Sequence, residues 1–168
     1  MKTILLEKTK RIEKNKTKLE KVLKIKIFVK EKEVSIDGQA EDEYIAEKVL
    51  EAISLGFPLP SALTIKTEDY MFEIINIKDH TKRADLASIR ARIIGKGGKT
   101  LKTLTDLTEC FLELSKNSVG IIGSPENIKP TQTALISLIK GSKQSNVYSY
   151  LEKHHPEPIY DLGLKEKK

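Results

Sequence analysis

Glycine and lysine together handle phosphate: glycine lets backbone N–H groups approach an oxyanion with no Cβ in the way, and lysine supplies counter-charge. The string Ile93-Ile94-Gly95-Lys96-Gly97-Gly98-Lys99-Thr100 concentrates both. Three phosphate-handling motifs compete for it. A nucleotide P-loop needs G-x-x-x-x-G-K-[ST] after a strand. Gly98-Lys99-Thr100 supplies its end, but Ile93 stands at the first glycine position and the spacing before it is helical. A dinucleotide fingerprint needs G-x-G-x-x-G, and Thr100 stands where its third glycine belongs. What fits is G-x-x-G between two short helices, opening the second at its partially positive N-terminus. Arg90, Arg92, Lys96, Lys99 and Lys102 surround that point. Alone, such a loop is a plain turn; with these flanks it predicts contact with a nucleic-acid backbone.

The bases would then lie in an apolar groove, with Ile93, Ile94, Leu101, Leu104 and the segment Phe111 to Leu114 as its candidates. Apolar residues at helical spacing usually form core, so most of these are expected in the interior and two against bases. Aromatic stacking is a poor explanation, because the chain has no Trp and the two helices flanking the loop have no aromatic residue. The expected RNA-binding set is Arg90, Arg92, Ile94, Gly95, Lys96, Gly97, Gly98, Lys99, Leu101 and Lys102. No catalytic residue is expected, since no Mg²⁺-binding carboxylate follows the loop as phosphoryl transfer requires.

The elements that must position this loop follow from periodicity. Tyr70 to Lys78 predicts a strand, and Leu86, Ile89 and Ile93 mark a helix over Lys82 to Ile93. Leu101, Leu104 and Leu107 mark a second helix over Thr100 to Thr108. Cys110 to Leu114 and Val119 to Ile122 flank the turn Lys116-Asn117-Ser118 as a hairpin. Ile128, Leu135, Leu138 and Ile139 mark a longer helix ended by Gly141, with Asn127 as its N-cap and Pro130 in its first turn. The order is β-α-loop-α-β-β-α. The N-terminal half repeats it: strand Thr3 to Leu6, helix around Arg11 and Ile12, loop Lys14-Asn15-Lys16-Thr17, helix Lys18 to Val22, hairpin Ile25 to Ile36, and helix Asp42 to Leu55 stopped by Gly56. A linker with one helical turn, Leu59 to Leu63, joins the halves, and the boundary falls near Lys66.

Composition excludes several other classes. With 39% hydrophobic and 32% charged residues among 168, and no apolar run near 20 residues, a membrane span is not expected and the protein reads as cytoplasmic. Cys110 has no partner for an internal disulfide, and His80, His154 and His155 have no metal-ligand spacing, so neither metal nor cofactor is expected. Cys110 sits in an apolar run and reads as a buried thiol. The net charge of +6 is concentrated: residues 1–36 carry +7 and residues 82–102 carry +6, leaving the remainder at −7. Two basic patches on an acidic chain predict contact with a polyanion.

The string Ala91 to Thr100, the hairpin end Gly120-Ile121-Ile122-Gly123-Ser124-Pro125, Ser54-Leu55-Gly56-Phe57, and Gly141-Ser142 leading to Val147-Tyr148-Ser149-Tyr150-Leu151-Glu152 are similar to a known family. They resemble the tandem-KH ribosome assembly factors called partner of Nob one, or Dim-two, most of all their archaeal branch. The resemblance implies an α+β chain of two tandem type I KH domains, each an antiparallel three-stranded sheet packed by helices. Residues 1–66 would form a degenerate KH domain without GxxG, plus the linker turn. Residues 67–168 would form a KH domain with the GxxG loop and a C-terminal helical tail. It further implies a non-enzymatic role in ribosome biogenesis, binding single-stranded RNA at the 3′ region of small-subunit ribosomal RNA. The implied partners are a PIN-domain endonuclease and the alpha subunit of initiation factor two. The departure is Lys14-Asn15-Lys16-Thr17, where archaeal members carry glycines. The competing readings are a translation-linked RNA-binding adaptor of that alpha subunit with no rRNA-processing role, and a KH-fold protein scaffold, with Val147, Tyr148, Tyr150 and Leu151 either docking a partner or capping the second core.

Overall fold

The computed structural model describes residues 1–154. His155 and the end of the expected second domain lie outside the described residues. In the first half, β1 (Lys2–Leu5) leads through α1 (Lys10–Lys14) and α2 (Lys16–Leu23) to β2 (Lys26–Lys30), β3 (Glu33–Asp37) and α3 (Ala40–Leu55). After α4 (Leu59–Thr67), the second half runs β4 (Met71–Asn76), α5 (Leu86–Ile94), α6 (Lys99–Thr108), β5 (Phe111–Ser115), β6 (Ser118–Gly123), α7 (Pro125–Ile139) and α8 (Gln144–His154). Both halves form three-stranded antiparallel sheets, ordered β1-β3-β2 and β4-β6-β5. In each, the strand made last lies in the centre.

Strand alternation decides what each face buries. In the first sheet, Ile27 pairs with Ile36 and Val29 with Val34, and these residues pack beneath the helices with Leu19, Leu23, Val49 and Ile53. The other face is left open, with Phe28 and Leu5 exposed. In the second sheet, Val119 and Ile121 of β6 join Ile89, Ile93, Leu104 and Leu135 in a second core. Ile122, on the opposite face, belongs with Phe72 to the core of the first half. A strand covered on both faces reads as an unbroken apolar run, which is the pattern Val119 to Ile122. Gly120 makes the second covering possible: a Cβ there would lie 2.6 Å from Leu55 Cδ2 and 2.7 Å from Phe57 Cε2. Phe57 meets Phe72 edge to face, centroids 6.0 Å apart.

Four expected boundaries need correction; the helix expected from Lys82 begins at Leu86, where Asp85 caps it. The helix given Asn127 as its cap begins earlier, at Pro125, and Ser124 is the N-cap. Pro125 fits the first helical position, where no N–H is needed. Pro130 therefore lies inside the helix rather than in its first turn. It removes one backbone bond, a cost of roughly 3 kcal/mol, which burial of Ile128, Ala134, Leu135 and Leu138 offsets. The expected loop Lys14 to Thr17 shrinks to Asn15, whose φ of −109° needs no glycine and whose side-chain amide donates to the Arg11 carbonyl at 2.8 Å. The linker is a nine-residue helix, α4, burying Ala62, Leu63 and Ile65. Gly141 does end α7: at φ +107° its N–H donates to the Leu138 carbonyl, while Ser142 N–H donates to that of Ser137.

Candidate nucleic-acid interface

The loop is held between two anchored helices. Asp85 Oδ1 caps α5 by accepting from Ser88 N–H at 3.2 Å, and Ile89 and Ile93 fix the helix to the core. The chain then turns through Gly95 (φ +77°, ψ 172°), Lys96, Gly97 (φ +63°) and Gly98 (φ +79°) into α6. Three left-handed positions in four residues call for glycine. They differ in surroundings. A Cβ on Gly95 would collide with Thr100 Oγ1, whereas nothing lies within 4 Å of where a Cβ on Gly97 or Gly98 would point. Gly95 is thus closed by the protein, and Gly97 and Gly98 face open space. The turn is braced by Gly95 N–H to the Ala91 carbonyl at 2.8 Å and Gly98 N–H to the Gly95 carbonyl at 3.1 Å. No side chain caps α6 at its N-terminus, and Lys96, Lys99 and Lys102 stand exposed around it.

The expected site residues divide into two groups. Ile94, Lys96, Gly97, Lys99 and Lys102 are exposed and Gly95, Gly98 and Leu101 half-buried, so the structure brings these together at one surface. Arg90 and Arg92 are half-buried and engaged elsewhere. Arg90 Nη1 donates to Asn117 Oδ1 at 2.6 Å, tying α5 to the β5–β6 turn. Arg92 donates to the carbonyls of Leu138 and Ser142, bracing the end of α7. Of the groove candidates, Ile93, Leu104 and Leu112 are interior, while Ile94 and Phe111 are both 39% exposed. Phe111 lies on β5, an edge strand of its sheet, and pairs with Ile122, so it shares the face turned away from α5 and α6 and is not a groove residue.

Residue types alone did not reveal Gln144. Its Nε2 donates to Thr100 Oγ1 at 3.0 Å, and Thr100 is the side chain that fills the space beside Gly95. The tail helix α8 thereby reaches the loop through two side chains. Val147 and Leu151 are buried in the second core, with Tyr148 and Tyr150 packed against it; the tail caps the core. Cys110 is buried, with its Sγ 3.4 Å from Thr131 Oγ1, and burial pushes its thiol pKa up, which opposes nucleophilic use. Among the described residues no cluster of His, Cys, Asp or Glu could hold a metal, and no helix is long and apolar enough to cross a membrane.

Two helices around a GxxG turn, packed on an antiparallel sheet with a third helix, define a KH-domain protein, and residues 71–156 match the eukaryotic-type KH domain (KH domain type I) that is second in PNO1. The chain belongs to the PNO1/Dim2 family. It is 32% identical over 139 residues to the RNA-binding protein PNO1 of Oryzias latipes, covering 75% of this chain and 55% of that one. Dim2p of Pyrococcus horikoshii OT3 superposes with a TM-score of 0.82 at 28% identity, over 90% of this chain and 98% of that one. The complex of a/eIF2alpha, aDim2p and rRNA from the same organism matches with a TM-score of 0.81 at 28% identity, over 90% and 92% of the two chains. The chain spans about half the length of the curated relatives it matches.

Proposed function

We propose that this protein binds single-stranded RNA through the loop Gly95 to Gly98, as an assembly factor acting on the 3′ region of small-subunit ribosomal RNA. The observation that carries the reading is the open space outside Gly97 and Gly98 at an uncapped, lysine-ringed helix N-terminus. A phosphate placed there meets backbone N–H groups, the positive end of α6 and three lysines. Unpaired bases would then extend past Ile94 and Leu101 toward the edge of β5, held by aliphatic packing and hydrogen bonds to base edges. Arg90 and Arg92 act indirectly, by fixing α5 to the β5–β6 turn and to the end of α7. In this reading residues 1–66 form a KH domain without GxxG, and 67–168 form the binding domain. Support for ribosomal RNA comes from the Dim2p relative, seen with rRNA and a/eIF2alpha. That alpha subunit is the first partner to seek; a PIN-domain endonuclease, implied by the resemblance to the assembly factors, is the second.

The test is Lys96→Asp with Gly97→Asp, which places two carboxylates where phosphates sit. Affinity for single-stranded RNA should fall at least about 100-fold while the protein stays folded, its thermal midpoint lowered only by the few degrees that one left-handed residue costs, and duplex RNA should bind more weakly than single strands throughout. Wild-type affinity in the double variant would refute the loop assignment.

A further inference from the structure

The first half lacks a glycine loop, yet its open sheet face carries a second set of groups suited to RNA. We propose that Phe28, with Lys16, Lys26 and Lys30, forms a base-stacking site for single-stranded RNA, separate from the glycine loop. The site rests on the RNA-binding reading above, and adds a surface to it.

Alternation along β2 turns Ile27 into the core and leaves Lys26, Phe28 and Lys30 exposed. Phe28 is 49% exposed although it sits on a regular strand. On sheets that bind RNA, an aromatic ring left in water is the usual platform for an unpaired base, since every base has a π-face to offer. The neighbours leave room for one. Phe28 is directly opposite Ser35, and the next residue across is Thr3, whose hydroxyl lies 3.1 Å from that of Ser35. These small side chains keep the flank of the ring open and present hydroxyls to a base edge. Lys16, from the start of α2, holds its ammonium 5.9 Å from the ring centroid. That contact is at the outer limit of a cation–π interaction, so the ammonium is readily drawn to a phosphate. Lys26 and Lys30 flank the ring along the strand at a two-residue spacing. Across the sheet, Asp37 faces Lys26 and Glu33 faces Lys30. These acids bound the strip, which suits one or two nucleotides.

The experiment uses the full chain and an unstructured single-stranded RNA of about 20 nucleotides, long enough for several contacts of this kind. Phe28→Ala should weaken binding about 5- to 100-fold, the worth of one stacked base. Phe28→Tyr should bind like the wild type, and Phe28→Leu like Phe28→Ala. Ultraviolet crosslinking followed by trypsin should place a nucleotide on the peptide Ile27–Lys30. Wild-type affinity in Phe28→Ala or Phe28→Leu would overturn the site and leave the patch to a protein partner; so would a crosslinked wild type with no adduct on that peptide. If only the glycine-loop reading is wrong, Lys96→Asp with Gly97→Asp binds normally while Phe28→Ala does not. If only this inference is wrong, the pattern reverses.

Discussion

Three glycines with positive φ are not equivalent once their surroundings are compared. Alanine at Gly97 meets only the cost of a left-handed residue, about 1–2 kcal/mol, because nothing occupies the space its Cβ would take. At Gly95 alanine must also displace Thr100. Urea denaturation should therefore show a larger loss for Gly95→Ala than for Gly97→Ala, and equal losses would mean that Thr100 yields freely. RNA affinity should rank otherwise, since a methyl group on Gly97 enters the space assigned to phosphate. The loop was legible in the sequence because three positive-φ positions in one turn leave few substitutes for glycine. The sequence did not separate the arginines from the lysines. Arg90 and Arg92 are two apart on α5, and at about 100° per residue they point in nearly opposite directions, so they were never able to line one face together. What each would find there, Asn117 on one side and the end of α7 on the other, depends on chain segments remote in sequence.

Among the elements, α8 has the least expected role, because it closes the second core and also steadies the loop. Gln144→Ala removes the hydrogen bond to Thr100 and should cost about 0.5–1.5 kcal/mol of stability. It should weaken RNA binding several-fold by loosening the Gly95 turn, with the lysines untouched. Anisotropy titration checks this: an unchanged Kd together with a lowered melting point would restrict Gln144 to the core. Element types were legible wherever apolar residues kept a period of two or of 3.6. Boundaries at prolines were not. Pro58, Pro60, Pro125 and Pro130 each fit a helix start, yet only packing decides which of them begins one, and Pro130 lies within a helix because the buried face on either side holds it there.

At the scale of the molecule, the second sheet is completed by the first half. Glu113 on β5 lies in this contact, where a Cβ on Gly56 would come within 3.3 Å of its Cγ. Burial pushes its carboxyl above the ordinary carboxylate range, and Arg11 opposes that shift. The folded state then holds the proton more tightly than the unfolded one, so this group lowers stability as pH rises from the ordinary carboxylate range through its raised value. Glu113→Gln should accordingly match the wild type in acid and exceed it at neutral pH. Melting points across that window test it, and a constant offset at all pH values would argue against burial as the cause. The tandem order of elements was legible in the sequence, and the covering of β6 on both faces was foreshadowed by its unbroken apolar run. Which segment would do the covering was not, since Leu55 and Phe57 reach β6 across more than 60 residues of chain.

The strand order also has a consequence for synthesis. In both sheets the edge strand is made first and its only partner last, and about 47 residues separate the starts of β4 and β6. At roughly 5–20 residues per second, β4 leaves the ribosome some 2–10 s before β6 can pair with it. An apolar strand kept waiting is exposed to wrong pairing. Here a shelter already exists, because Phe72 of β4 packs with Phe57 and the core of the completed first half. Chains stalled before β6 should therefore protect β4 from protease when Phe57 is present and lose that protection in Phe57→Ala. The N-terminal half would then serve its successor as a template during translation.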